Sequence, residues 1–227
     1  MFYLDPTYLL LLAVTIGLGF LTQGYINSTY RKWSQVPISA RMNGADVARR
    51  ILDSEGLTNV GIQAVPGNLT DHYDPRSKML GLSQGVGGAA SVAAAGVAAH
   101  EAGHAIQDAR GYVWGNVRTA LVPVANLGSQ ASWILIVAGF IFQVSGLVWA
   151  GILFYAFAVL FQIVTLPVEL DASRRAMGAL ATSGYLTEEQ LAGARQVLTA
   201  AALTYVAAAL ISVLNLLYYI GLARGRD

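Results

Sequence analysis

The amino-acid sequence predicts a mainly α-helical membrane protein, with about four transmembrane helices and a small α+β domain that contains a β-hairpin. The composition indicates a membrane protein, because 55% of the residues are hydrophobic and only 12% are charged, about half the charged share of a typical globular chain. Four apolar runs are long enough to cross a bilayer, which takes about twenty residues. The net charge of +1 gives no indication of nucleic-acid binding.

The apolar runs are located by their length and their lack of charge. Residues 8–26 match the length of one membrane span. The run from Ala120 to Val168 contains no charged residue and is too long for one crossing, and residues 143–146 divide it into a helical hairpin. We therefore expect transmembrane helices at 8–26, 120–142, 147–167 and 198–222.

The basic residues predict the orientation of these spans. Segments 27–119 and 168–197 carry twelve of the fourteen Lys and Arg residues, whereas the termini carry only Arg224 and Arg226. Since basic residues are retained on the cytoplasmic side, we expect both segments in the cytoplasm and both termini outside.

Segment 27–119 is expected to form the α+β domain. Its turn and capping residues predict a helix at 44–55 capped by Asn43, a strand at 60–65, a hairpin of strands 69–73 and 78–82, and a long helix at about 88–110. An exposed strand edge directly before the long helix would suit the binding of an extended peptide; a hairpin that only covers the helix is equally expected.

Segment 168–197 is expected to contain cytoplasmic helices. One would begin near Pro167 and end at Gly184, since Pro favours the first helical position. Thr187 and Gln190 can form a capping box at the start of the helix that leads into the fourth span.

The long helix carries His100-Glu101-Ala102-Gly103-His104, the H-E-x-x-H arrangement. Positions four apart lie on one helix face, so His100 and His104 can bind one zinc ion while Glu101 acts as general base. The absence of cysteine excludes thiolate ligands and leaves His, Asp and Glu. Two helix histidines with an incidental Glu would be the alternative.

A catalytic zinc needs a third protein ligand. Gln107 and Arg110 stand where the extended H-E-x-x-H-x-x-G-x-x-H pattern needs Gly and His, which excludes that class. Glu169, the first glutamate after the motif, is the preferred candidate, and His72 is the alternative. A negative side chain in the first turn of a helix that begins near Pro167 would also explain Glu169.

Four further residues are candidates for supporting roles. Asp108 and Asp171 could orient a zinc histidine, although solvated surface acids are the more usual interpretation of both residues. If His72 is not a ligand, it or Tyr73 could stabilise the oxyanion of a tetrahedral intermediate; the alternative is a structural His beside an Asp-Pro turn.

Four stretches carry a resemblance to a known family: GNLTDHYDPRSK at 67–78, AAHEAGHAIQ at 98–107, VTLPVELDAS at 164–173 and AALTYVAAAL at 201–210. In this order they resemble the bacterial YugP-type membrane zinc metallopeptidases. More distantly the chain is similar to HtpX-type and CAAX prenyl proteases, in which Asp follows the ligand Glu by four residues; here that position is Ser173. The resemblance implies a zincin-like domain with a Glu ligand, and a zinc endopeptidase of the plasma membrane.

These observations predict one zinc ion per chain and hydrolysis of peptide bonds in protein substrates, membrane proteins among them, by a zinc-activated water. One alternative is a site-2-type intramembrane protease, but its downstream Asp-Gly metal motif is missing from the sequence. Another is a non-catalytic zinc-binding membrane adaptor, which would ordinarily close its site with four protein ligands. A transporter is less favoured because the predicted spans contain no ionisable residue other than tyrosine.

Overall fold

The computed structural model describes residues 5–225. Within that range the elements are α1 (Pro6–Ser34), α2 (Gly44–Ser54), β1 (Gly61–Val65), β2 (His72–Asp74), β3 (Met79–Ser83), α3 (Gln84–Gly87), α4 (Val92–Ala109), α5 (Val113–Ile141), α6 (Ser145–Ser183) and α7 (Glu188–Arg224).

The chain is mostly helical, and α1, α5, α6 and α7 are each long and apolar enough to cross a membrane. The prediction of four apolar helices is therefore confirmed. The helices extend beyond the apolar runs, since helix formation does not stop where charged residues begin. The predicted capping box also forms at the start of α7, where Thr187 N donates to Gln190 Oε1 at 3.0 Å and Gln190 N donates to Thr187 Oγ1 at 3.3 Å.

Helix α6 corrects one prediction, because it runs through Pro167 without interruption. A proline removes one helical hydrogen bond, but long apolar helices tolerate this when neighbouring groups satisfy the freed carbonyl. Glu169 consequently lies in the interior of a 39-residue helix. The explanation of Glu169 as a first-turn charge is therefore wrong. The helix ends at Ser183, and Gly184 follows with φ of +70°.

The described residues form two compact units. One, called the site unit below, comprises Gln23–Gly115 and Val168–Leu203. The other holds the remaining described residues, including most of α5 and the first part of α6. In this second unit Gly151 lets the two helices pack closely, since a Cβ there would lie 2.9 Å from the backbone nitrogen of Ile136.

The site unit contains a three-stranded sheet in the order β1-β3-β2. Strands β2 and β3 are antiparallel, which confirms the predicted hairpin, and β1 is parallel to β3. The strand nearest in sequence to the long helix is thus the central one. The expectation of an exposed edge on that strand is wrong, because β1 and β2 occupy both of its sides.

Helix α4 crosses the core of the site unit. It begins at Val92, later than predicted, because Ser91 caps it by accepting a hydrogen bond from Ala94 N at 3.2 Å, and the short helix α3 has already ended at Gly87. Small side chains allow α4 to be buried along most of its length. The core around it is formed by Val47, Ile51, Leu52, Leu80, Leu82, Val86, Leu180 and Val197, among others.

Candidate metal centre

Three side chains of the site unit converge on one point. His100 and His104 lie on one face of α4, and Glu169 reaches them from α6. The Oε2 atom of Glu169 is 3.2 Å from Nε2 of His100 and 3.7 Å from Nε2 of His104. Ligand atoms about 2.1 Å from a tetrahedral zinc lie roughly 3.4 Å apart. The spacing therefore fits a single zinc ion.

The burial of this group also suits a metal. The side chain of Glu169 is 4% exposed, and each histidine side chain is 14% exposed. A buried carboxylate requires a positive partner, while the small exposure of the imidazoles leaves an approach from solvent. His72 lies outside this group. Among residues 5–225, only His100, His104 and Glu169 bring three His, Asp or Glu ligand atoms within 4.8 Å of one another.

Gly103 explains how α6 comes so close to α4. A Cβ at this position would lie only 2.5 Å from the carbonyl oxygen of Ala172, which is less than any ordinary carbon–oxygen contact. Glycine thus permits backbone contact between the two helices one residue before His104. Glu169, one turn before Ala172, is thereby brought within reach of both imidazoles.

The other ring nitrogen of each histidine also has a partner. Nδ1 of His104 is 3.0 Å from Oε1 of Gln107, and Nδ1 of His100 is 3.1 Å from Oγ of Ser173. When Nδ1 carries the proton, the Nε2 lone pair is available to a metal. Both imidazoles can therefore direct Nε2 toward Glu169.

Sequence reasoning did not identify Gln107 and Ser173 as supporting residues. A signal existed for each, because Gln107 lies one helical turn after His104 and Ser173 one turn after Glu169. Ser173 contacts His100 from the position that Asp occupies in the HtpX-type proteases. The hydroxyl thus supplies a hydrogen-bonding group there without a negative charge.

Asp108, one candidate for orienting a zinc histidine, has different partners. Its Oδ2 atom accepts hydrogen bonds from the hydroxyl of Tyr73 and from Nζ of Lys78, each at 2.6 Å. The hairpin thus holds this carboxylate at the end of α4. Asp171 instead accepts from Nε2 of Gln107 at 2.9 Å, so it can act on His104 only through that amide.

Tyr73 and His72, the two candidates for stabilising an oxyanion, lie in different environments. Tyr73 donates its hydroxyl to Asp108, and burial together with this hydrogen bond and negative charge raises its pKa well above the ordinary value. It therefore remains protonated at neutral pH. His72 is exposed, its Nδ1 lies 2.9 Å from the carbonyl oxygen of Thr70, and its ring covers Gly81 on β3.

Glu101 follows the first histidine directly and is only 8% exposed. A helical residue one position along points about 100° away from its neighbour. The carboxylate is thus set beside the His100–His104 face and not upon it. This position leaves it available for proton transfer next to the metal centre.

Comparison with known proteins identifies relatives of the whole chain. The sequence profile of the family described as "Putative neutral zinc metallopeptidase" matches residues 8–224. The chain is also 40% identical over 221 residues to the "Putative membrane protease YugP" of Bacillus subtilis (strain 168), covering 97% of this chain and 98% of that protein. No solved structure gives a significant match.

Proposed function

The chain belongs to the "Putative neutral zinc metallopeptidase" family, and on this premise we propose that it is a membrane-embedded zinc-dependent endopeptidase that hydrolyses peptide bonds in protein substrates. The observation that carries the proposal is the convergence of His100, His104 and Glu169 at tetrahedral spacing. Three protein ligands leave one position of a tetrahedral ion for a water or substrate oxygen, as in catalytic zinc sites.

The residues present fit a zinc ion. Two neutral imidazoles and one carboxylate are the ligand set of several zinc peptidases, and together they would hold one ion per chain. When bound, zinc lowers the pKa of a coordinated water toward neutrality and polarises a carbonyl oxygen.

Glu101 has the position and chemistry of the general base. Its carboxylate would accept the proton of the water that attacks the scissile carbonyl, and would then donate that proton to the leaving amine. Its burial limits competing hydration and strengthens its hydrogen bond to the attacking water.

We propose the plasma membrane as the location, with both termini outside and the metal centre on the cytoplasmic side. The support is the even number of apolar helices within residues 5–225 and the concentration of Lys and Arg in residues 27–119 and 168–197. The chain lacks cysteine, so single cysteines report topology without background. A membrane-impermeant maleimide applied to intact cells is expected to label Gly225→Cys and not Glu189→Cys. The opposite labelling would reverse the orientation.

The peptidase proposal is tested with purified wild type, Glu101→Gln, Glu169→Ala and His72→Ala. Glu189→Gln is the matched control, because Glu189 is an exposed acid of the same unit. Zinc content and cleavage of casein are measured. We expect Glu101→Gln to keep zinc and lose activity by at least about a hundredfold, and Glu169→Ala to bind zinc weakly. The control should behave as wild type.

The same measurements separate the alternatives. Full activity in Glu101→Gln would refute the proposed mechanism. Stoichiometric zinc with no peptidase activity in any preparation would instead favour the non-catalytic adaptor. Zinc retained in Glu169→Ala and lost in His72→Ala would reverse the assignment of the third ligand.

A further inference from the structure

Gln107 is buried, and both polar atoms of its amide have partners within the site unit. It is 3% exposed. Its Oε1 lies 3.0 Å from Nδ1 of His104, and its Nε2 lies 2.8 Å from the carbonyl oxygen of Val168 and 2.9 Å from Oδ2 of Asp171. The amide therefore bridges the second histidine of α4 and the segment of α6 beside Glu169.

The chemistry of these partners fixes which end of the amide faces the histidine. A backbone carbonyl can only accept a hydrogen bond, and an ionised carboxylate also only accepts. Asp171 is paired with Arg175, whose Nε donates to it at 2.6 Å, which favours the ionised form. The NH₂ group must therefore point toward Val168 and Asp171, because an oxygen there would face two acceptors.

The remaining end of the amide is an oxygen, and it faces Nδ1 of His104. An amide oxygen accepts hydrogen bonds only, so Nδ1 must carry the proton. In a neutral imidazole Nε2 is then unprotonated, and its lone pair is available to a metal ion on the side of Glu169. In contrast, the hydroxyl of Ser173 can donate or accept, so it orients the ring of His100 without selecting its tautomer.

We propose that Gln107 is a positioning residue that fixes the tautomer of His104, with its own orientation set by Val168 and by the Asp171–Arg175 pair. This rests on the proposed function insofar as the fixed nitrogen serves a zinc ion. The two histidines differ in this respect. The buried amide of Gln107 keeps a proton on Nδ1 of His104, whereas the hydroxyl of Ser173 can donate or accept and so leaves the proton position of His100 open.

The position of the proton is measured directly by ¹⁵N NMR of histidine side chains in the full-length, metal-free protein at about pH 8, which is above the pKa of free histidine. The chain has three histidines, so three signals need assignment. We expect His104 to be protonated on Nδ1 in the wild type and to lose this preference in Gln107→Met. A wild-type His104 that carries a proton on Nε2 but not on Nδ1 would overturn the proposal, whatever the stability of any variant.

Zinc affinity is the second readout, measured by competition with a chelator. We expect Gln107→Met to weaken zinc binding by about 10- to 100-fold, the usual effect of removing a group that orients a metal ligand. Ser173→Ala should weaken it less. Gln196→Met serves as matched control, because it removes an amide that accepts from Nε1 of Trp33 at 3.0 Å away from the metal centre.

The outcomes keep this inference separate from the peptidase proposal. Unchanged zinc affinity in Gln107→Met, with the protein still folded, would refute the positioning role even if wild type cleaves casein. A fixed tautomer and weakened zinc binding in Gln107→Met would support it even if no peptidase activity were found. Equal losses in Gln107→Met and Gln196→Met would show a general loss of stability and would also count against it.

Discussion

Replacing Gly103 with alanine should disrupt the metal centre by separating two helices. The added methyl group would lie 2.5 Å from the carbonyl oxygen of Ala172 and 3.3 Å from its Cα. Carbon–oxygen contacts in proteins are ordinarily about 3.3–3.6 Å. Because the obstacle is backbone and not a flexible side chain, α6 must move away from α4 by about 1 Å.

The size of the effect follows from that displacement. Overpacking of this kind costs about 1–3 kcal/mol of stability. Glu169 is carried on the displaced helix, and zinc ligands tolerate shifts of only about 0.2 Å. A misplacement of about 1 Å can reduce catalysis about a hundredfold. We therefore expect Gly103→Ala to lose peptidase activity by about that factor and to bind zinc at least about tenfold more weakly.

Gly178 provides the control on α6, the helix that Gly103 contacts, because no atom lies within 4 Å of the position its Cβ would take. Gly178→Ala should keep zinc affinity and activity, and should gain about 0.4–1 kcal/mol of stability from the reduced entropy of the unfolded chain. Thermal unfolding, chelator competition and casein cleavage are compared for both variants. Wild-type activity and zinc affinity in Gly103→Ala would refute the argument that helix contact sets the ligand geometry.

The remaining predictions concern the zinc ion, the hydrogen bond from the hairpin to Asp108 and the capping box of α2. Chelation should lower the melting temperature, since an ion at a hundred times its Kd stabilises the folded chain by about 2.7 kcal/mol; added zinc should restore it, and an unchanged melting curve would contradict the site. Tyr73→Phe should cost about 1–2 kcal/mol through the lost hydrogen bond to Asp108, with zinc content unchanged; a hundredfold loss of activity at unchanged stability would instead indicate an oxyanion role. Asn43→Ala should cost about 1 kcal/mol in thermal unfolding, because Asn43 and Asp46 form a capping box; an unaltered melting temperature would argue against that contribution.

Local sequence patterns predicted those features that depend on residues close together in the chain. The i, i+4 spacing of His100 and His104 determines that they share a helix face, and the capping residues at Asn43 and Thr187 determine two helix starts. The predicted hairpin of β2 and β3 likewise depends on a short turn. The choice of Glu169 came from the scarcity of other ligand types, and its location beside the histidines supports it.

Features that depend on contacts between distant segments could not be predicted in this way. Asp108 lies one turn after His104, but Lys78 and Tyr73 of the hairpin bind it, and nothing local to α4 indicates this. The role of Gln107 depends on which carbonyl of α6 lies opposite it. Pro167 favoured a helix start, and a helix that continues past it gains more from its apolar length than it loses in one hydrogen bond.

The distribution of the ligands along the chain has a consequence for biosynthesis. His100 and Glu169 are 69 residues apart in the sequence, and the charge-free run from Ala120 to Val168 lies between them. At about 5–20 residues per second, a ribosome takes roughly 3–14 s to add those residues. A nascent chain that has already formed α4 therefore lacks Glu169 until the apolar parts of α5 and α6 have been synthesised. Unfinished chains would thus be unable to cleave their neighbours.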